Sequence, residues 1–169
     1  MRDSGVSFGT SGARGLVAKM TPEVCAAYAM AFLQLFDRDT VGAVAIGMDL
    51  RPSSPAIARA CMAAARALGV TAHFHGVLPT PALAFHAMRS GMPAIMITGS
   101  HIPFDRNGIK FYRPEGEISK SDEARIAEAE VSLPEPLVLP DLPAPEAAAS
   151  AGYVRRYLDF FPPGLLAGM

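Results

Sequence analysis

Ile97-Thr98-Gly99-Ser100-His101-Ile102-Pro103-Phe104-Asp105-Arg106-Asn107-Gly108-Ile109-Lys110 joins the end of one apolar run to the start of another. The run at 94–97 has the length and character of a buried strand, and residues 108–113 read as the next one. Between them, Gly, Pro and Asn permit the tight and left-handed turns that bring backbone amides close to a ligand. The loop carries a hydroxyl at Ser100 and an imidazole at His101, and Lys110 follows, so one nucleophile stands near two groups able to move a proton. A Ser-His pair taken alone is better explained by a serine hydroxyl bonded to a neighbouring amide at a turn. The segment Phe8-Gly9-Thr10-Ser11-Gly12-Ala13-Arg14-Gly15 tips the balance toward chemistry. It has the same glycine-rich character and ends in Arg14, whose forked cation suits a phosphate.

Working outward, Thr21-Pro22-Glu23 reads as an N-cap with proline at the first helical position, opening a helix to about residue 36. Val24, Tyr28, Ala31 and Leu35 then share a face. Residues 43–48 form a short apolar run suited to a buried strand. A polar turn from Asp49 to Ser54 follows and caps a helix over 55–68, which Gly69 stops. Residues 70–77 are strand-like, and Thr80-Pro81 opens a helix to about residue 90. Beyond the loop come a strand at 108–113, a turn at 114–117 and a helix over 119–131 with a capping-box pattern from Ser119 to Asp122. The acids Asp122 and Glu123 lie in its first turn, where the helix dipole favours them. Strands separated by helices predict βαβ units. The expected fold is therefore α/β, three layers of helix, sheet and helix around a mainly parallel mixed sheet. Residues 132–145 are rich in proline and apolar side chains and read as a connector lying on the domain. Residues 146–161 form a final helix that Pro162-Pro163-Gly164 ends, and no tandem repeat is visible.

The 169 residues correspond to about one domain at the usual roughly 100–200 residues each. A 50% hydrophobic content is ample for a core, and the net charge of −1 lacks the basic stripe of a nucleic-acid binder. Cys25 and Cys61 show neither metal-ligand nor dense disulfide spacing, which predicts reduced, buried thiols in a cytoplasmic protein. No signal-type or bilayer-spanning apolar stretch is present, so no membrane partner is expected. His73 and His75 share a strand face, a spacing that can serve a metal, but no third ligand stands nearby and they read as polar strand positions. His86 reads as a packed or surface histidine. Met88, Met92 and Met96 read as gap-filling apolar groups. Asp49 and Arg51 are either an ion pair bordering the site or a helix-start device.

Three blocks together resemble the α-D-phosphohexomutases, the family of phosphomannomutase, phosphoglucomutase and phosphoglucosamine mutase. They are Gly9-Thr10-Ser11-Gly12-Ala13-Arg14-Gly15, Gly47-Met48-Asp49-Leu50-Arg51, and Thr98-Gly99-Ser100-His101-Ile102-Pro103 leading to Asn107-Gly108-Ile109-Lys110. Their order and spacing match that family's first domain. One departure stands out: the family usually reads Ser-His-Asn-Pro, and Ile102 puts an aliphatic side chain in place of the amide.

The resemblance implies a phosphoserine at Ser100 that donates to a hexose phosphate, giving a hexose bisphosphate that turns over and returns its other phosphate. It implies catalytic roles for Ser100, His101, Lys110 and Arg14, substrate contacts at Thr10, Ser11 and Arg51, and a magnesium ion held through the phosphate on Ser100. Family members have about four domains, and the metal-binding loop of closely spaced aspartates and the sugar loops lie beyond the first. No Asp-x-Asp-x-Asp pattern occurs here. Residues 1–145 are therefore expected to be the phosphoserine domain and 146–169 a lead-in to a second. Such a fragment is expected to be inactive alone, and Tyr157, Phe160 and Phe161 offer a surface for self-association. Two other readings remain: a phosphate-binding or interaction module without catalysis, and a Ser-His hydrolase, which lacks a positioned acid and a nucleophile-elbow sequence.

Overall fold

The computed structural model describes residues 4–9, 12–37 and 40–168. Its elements run β1 (Ser7–Phe8), β2 (Ala13–Leu16), α1 (Pro22–Leu33), β3 (Ala43–Met48), α2 (Ser54–Ala67), β4 (Thr71–Val77), α3 (Thr80–Ser90), β5 (Ala94–Ile97), β6 (Arg106–Arg113), β7 (Gly116–Glu117), α4 (Lys120–Glu128) and α5 (Ala148–Phe160). A short 3-10 turn at Val17–Lys19 links β2 to α1. The strands form one sheet in the order β1-β2-β6-β5-β3-β4, with β7 paired to β6.

The three layers and the mixed sheet match the expectation, but the parallel share is smaller. Only β4, β3 and β5 run parallel; β5 to β6, β6 to β2 and β2 to β1 are antiparallel. The reason is the length of the connection. A parallel return needs a crossover of about a dozen residues or more, and only residues 98–105 separate β5 from β6. The chain must turn back directly, and β2 then pairs with β6, setting Arg14 opposite Gly108. β1 and β2 emerge from the glycine-rich segment that reads as loop in the sequence.

Alternation along the strands feeds two cores. Ile95, Ile97, Ile109 and Phe111 face α1, α2 and α4, whereas Ala45, Ala94 and Met96 face α3 and the buried Ala149 of α5. In α1 every residue from Cys25 to Leu33 is buried. It is apolar all round, as expected of a helix enclosed on several sides, and α2 meets it through a surface dominated by alanine. The Phe32 and Phe111 rings lie 4.8 Å apart between helix and sheet. Both free thiols are buried here, and burial is the main cause of Cys25 being pushed up to about 12.

The helix ends follow local chemistry. Thr21 Oγ1 accepts the Val24 amide, and Gly69 and Gly91 stop α2 and α3 at positive φ. α4 ends at Glu128 rather than 131, because Ala129 turns to an extended conformation. The connector then lays Val131, Leu133, Leu137, Leu139 and Leu142 on the first core. Its end is tied to β4: the Glu146 amide donates to Phe74 O at 2.8 Å, and the Glu146 carboxylate lies 2.8 Å from His73 Nδ1. His75 is buried against the His86 ring, so the histidines serve packing at this edge. Among the described residues no helix is long and apolar enough to cross a membrane.

The capping box at α4 is present in both directions. Ser119 Oγ accepts the Asp122 amide, and Asp122 Oδ2 accepts the Ser119 amide at 3.0 Å. Asp122 also accepts Arg113 Nε at 2.8 Å. The Arg113 bond, opposed by burial and reinforced by Ser119, holds the Asp122 carboxyl well below the ordinary 3.8. A depressed carboxyl stabilises the fold fully above its unfolded value and loses that contribution as pH falls through the folded one. Asp122→Asn is expected to cost about 2 kcal/mol in urea unfolding at pH 7. The difference from the parent protein should shrink below about pH 4, where the unfolded carboxyl becomes protonated; a pH-independent difference would refute the ion-pair account.

Candidate functional site

The site begins at the carboxyl ends of β3 and β5. Asp49, just past β3, receives the Asp49-to-β5 tie through its amide, which donates to Ile97 O at 2.9 Å. Its carboxylate accepts Ser54 Oγ at 2.6 Å, the Arg51 amide at 3.0 Å and the Gly99 amide at 3.0 Å. Burial pushes this carboxyl up, but the combined bonds from Ser54, the Arg51 and Gly99 amides and Thr98 outweigh it and hold the group below the ordinary value. Asp49 therefore stays charged at neutral pH. Ser53 occupies the N-cap position of α2 without a side-chain capping bond, so the polar turn works through Ser54 and Asp49 instead.

Arg51 lies against that charge, with Nε 3.3 Å from Asp49 Oδ2. Its Nη1 donates to Pro103 O at 2.9 Å and Arg106 O at 3.1 Å, and its Nη2 to Ile102 O at 2.6 Å and Ser100 O at 3.3 Å. Phe104 stacks on the guanidinium 4.9 Å away. Only 7% of Arg51 is exposed. The substrate contact expected of it is thus not what the geometry provides: its donors are spent on the loop and on Asp49. Gly99 is required by the same packing, since a Cβ there would fall on the guanidinium.

Beneath the loop, Asn107 is fully buried. Its Nδ2 donates to Ser53 Oγ at 2.8 Å and Ser54 Oγ at 3.0 Å, and its Oδ1 accepts the Gly108 amide. Asp49 meets both expectations held for it, as ion-pair partner of Arg51 and as the acceptor that starts α2 through Ser54; Gly99 and Asn107 have supporting roles that the sequence did not suggest. The one mark Asn107 leaves is an amide set between two apolar strands.

Above this base Ser100 has φ 52, making it the non-glycine residue at positive φ among those described. A left-handed non-glycine residue costs about 1–2 kcal/mol. The Ser100 amide donates to Thr98 Oγ1 at 2.9 Å, and Ile102 N donates to Gly99 O. Ser100 Oγ lies 3.3 Å from His101 Nδ1, and both residues are exposed. Arg14 on β2 and Lys110 on β6 point to the same face of the sheet, because Arg14 registers with Gly108, two residues from Lys110. No described residue forms an ion pair or hydrogen bond with either side chain. Thr10 and Ser11 lie outside the described residues. The structure thus brings Ser100 and His101 together, sets Arg14 and Lys110 on the adjoining strands, and turns Arg51 inward. A groove of about 540 Å³ between α3 and α5, lined by Phe85, Arg89 and Arg156 among others, shares no residue with this site.

Ser100 follows Gly99 above the Asp49–Arg51 ion pair, and Arg14 and Lys110 stand on the paired strands β2 and β6 of the α/β sheet. The chain belongs to the phosphoglucomutase/phosphomannomutase family: residues 5–132 match the model of that family's α/β/α domain I. It is 51% identical over 160 residues to a phosphomannomutase of Salmonella muenchen, covering 94% of this chain and 33% of that protein. It is 34% identical to a phosphoglucosamine mutase of Hyphomonas neptunium, covering 90% and 36%. Among solved structures, a phosphoglucomutase/phosphomannomutase family protein from Burkholderia thailandensis superposes with a TM-score of 0.66 at 27% identity, over 75% of this chain and 30% of that one. The chain spans about a third of the length of the curated relatives it matches.

Two substitutions test the loop. Gly99→Ala should lower stability by about 1–3 kcal/mol in thermal or urea unfolding, since the added methyl displaces Arg51. Ile102→Asn should change stability by less than about 1 kcal/mol, because Ile102 engages Arg51 through its backbone carbonyl and its side chain is partly exposed. A large loss at Ile102 would show that this side chain packs the loop.

Proposed function

We propose that this chain is the phosphoserine-bearing part of a phosphohexomutase, which moves a phosphoryl group between the C1 and C6 oxygens of a hexose phosphate. The observation that carries the proposal is Ser100, exposed at positive φ beside His101, with Arg14 and Lys110 on one face of the sheet and without an ion-pair partner among the described residues. The names of the relatives support the substrate class.

In the forward half-reaction the Ser100 Oγ–P bond breaks as a bond forms from phosphorus to a hydroxyl of the hexose monophosphate. The hydroxyl proton leaves to a base, and Ser100 Oγ regains a proton, for which His101 is 3.3 Å away. The bisphosphorylated sugar then reorients and gives its other phosphoryl group to Ser100 by the same exchange in reverse. Such transfers depend on alignment and on balancing the negative charge of the equatorial oxygens. Arg14 offers a fork for the phosphate, and Lys110 a mobile charge that can also take the sugar proton. Thr10 and Ser11 are proposed as contacts at the rim.

Magnesium would bind through the phosphoryl oxygens on Ser100, where it offsets developing charge. The exposed Ser100 leaves room for it; among the described residues no group of three or more His, Cys, Asp or Glu stands together to hold a metal ion, and the phosphate on Ser100 is the contact proposed here. Residues 1–145 form the phosphoserine domain in this reading and 146–169 a lead-in segment. On that segment Tyr157 and Phe160 are exposed and open to pairing with a second copy. A hydrolase reading is less well supported: Asp49, the carboxylate tied to the loop, bonds Ser54, Gly99 and Arg51 rather than His101.

The test uses the natural polypeptide that carries this chain, supplied with mannose 1-phosphate, glucose 1,6-bisphosphate and magnesium. Intact-mass and fragment analysis should find one phosphoryl group on Ser100, and Ser100→Ala should lower turnover by at least about a thousandfold, a barrier increase of about 4 kcal/mol. Near-normal turnover by that variant, or phosphate found only elsewhere, would overturn the proposal.

A further inference from the structure

We propose that Arg51 is a positioning residue for phosphoryl transfer: its guanidinium gathers the carbonyls of the loop and fixes the left-handed turn that presents Ser100 Oγ. The proposal rests on the reading of Ser100 as the phosphoryl carrier, and it adds what sets that carrier's geometry.

Four carbonyls, those of Ser100, Ile102, Pro103 and Arg106, converge on the two terminal nitrogens of one side chain, while Nε turns to Asp49. Only a planar fork makes this set of bonds; a lysine ammonium is a single point that cannot reach carbonyls on both branches. Bonds from a charged donor are about twice as strong as neutral ones. They outweigh the cost of holding Ser100 at φ 52, which an unclamped loop would relieve by turning the serine back toward an ordinary conformation. Arg51 is itself held on every side. Asp49 is braced by Ser54, Ser54 by Asn107, and Phe104 covers the guanidinium face. Gly99 leaves the space the guanidinium fills. The clamp touches Ser100 through its backbone carbonyl alone, so its effect falls on where the hydroxyl points rather than on what the site binds.

The experiment compares Arg51→Lys and Arg51→Ala with the parent in the natural polypeptide, using mannose 1-phosphate with glucose 1,6-bisphosphate. A misplacement of about 1 Å costs on the order of a hundredfold in rate. Arg51→Ala should therefore lose roughly a hundredfold in kcat, with KM for mannose 1-phosphate nearly unchanged. Millimolar guanidinium should restore part of that kcat, but none in Ser100→Ala, and Arg51→Lys should fall between. Amide exchange on this chain should quicken at residues 99–106 while β3 and β5 stay protected, which separates a loosened loop from an unfolded domain. A raised KM with unchanged kcat would overturn the proposal by making Arg51 a substrate contact. Loss of activity in Arg51→Lys with exchange accelerated throughout the sheet would overturn it by making the role purely structural. If Arg51→Ala loses activity while Ser100→Ala keeps it, the fault lies in the assignment of Ser100.

Discussion

The Asp49 carboxylate fixes where three parts of the chain meet. It stands at the end of β3, bonds the first turn of α2 through Ser54, and holds the start of the loop through the Gly99 amide. Removing a carboxylate from water is costly unless its lone pairs are satisfied, and here hydrogen bonds and Arg51 satisfy them. The charge is consequently kept, although burial alone would favour the neutral acid. A pair of this kind contributes less to net stability than to uniqueness, because alternative loop arrangements would leave a charge or several carbonyls unpaired. In this domain the uniqueness is expressed in the backbone of Ser100, which no local preference of serine would produce.

The topology explains why this junction lies where it does. From β3 the chain passes through α2 to β4 on one side, and from β5 it passes through the loop to β6 on the other, so the connections leaving the two carboxyl ends diverge. Open α/β sheets leave a crevice at the carboxyl ends of strands whose connections part in this way. Asp49 and Ser100 follow the two strands that border it. The antiparallel β6 pins the near end of the loop, where Thr98 N donates to Gly108 O, and the 3-10 turn after β2 pins the far end, where Val17 N donates to Asp105 O. A loop anchored at both ends in adjacent strands inherits their rigidity, which alignment for phosphoryl transfer demands.

Much of this was legible in the sequence because it rests on short-range rules. The strands at Ala43–Met48 and Ala94–Ile97 and the helix at Thr80–Ser90 appear with the limits their apolar runs and glycine stops imply. The capping box from Ser119 to Asp122 is a local code, set by residue types three apart and formed in the structure. What the sequence hid is long-range. β1 and β2 exist because Arg14 and its neighbours pair with β6, nearly a hundred residues on, and glycine-rich segments carry no periodicity that announces a strand. The pairing of Arg51 with Asp49 could be read from their spacing, yet the other partners of Arg51 are four carbonyls, and backbone acceptors leave no mark on residue identity. Ser100 and His101 could be named as candidates from their types, whereas the turn that sets them depends on Gly99, Asn107 and Arg51 acting together.

Solvent access limits what the loop alone achieves. Ser100, His101, Pro103, Phe104 and Asp105 are exposed on this chain. A phosphoserine so placed meets water as readily as it meets a sugar hydroxyl. Transfer outruns hydrolysis only if water is excluded while the acceptor is held in line. In the proposed site Arg14 and Lys110 would not accomplish that, since a side-chain cation attracts phosphate without covering it. For the proposed transfer a further surface has to close over the loop, and the clamp beneath it bears on that requirement too. By committing Asp49 and Arg51 inward, the fold leaves Arg14 and Lys110, half-exposed on one face of the sheet, as cations a phosphate could meet in the proposed reading. In that reading they draw in the sugar phosphate, and the serine's orientation is set before it arrives.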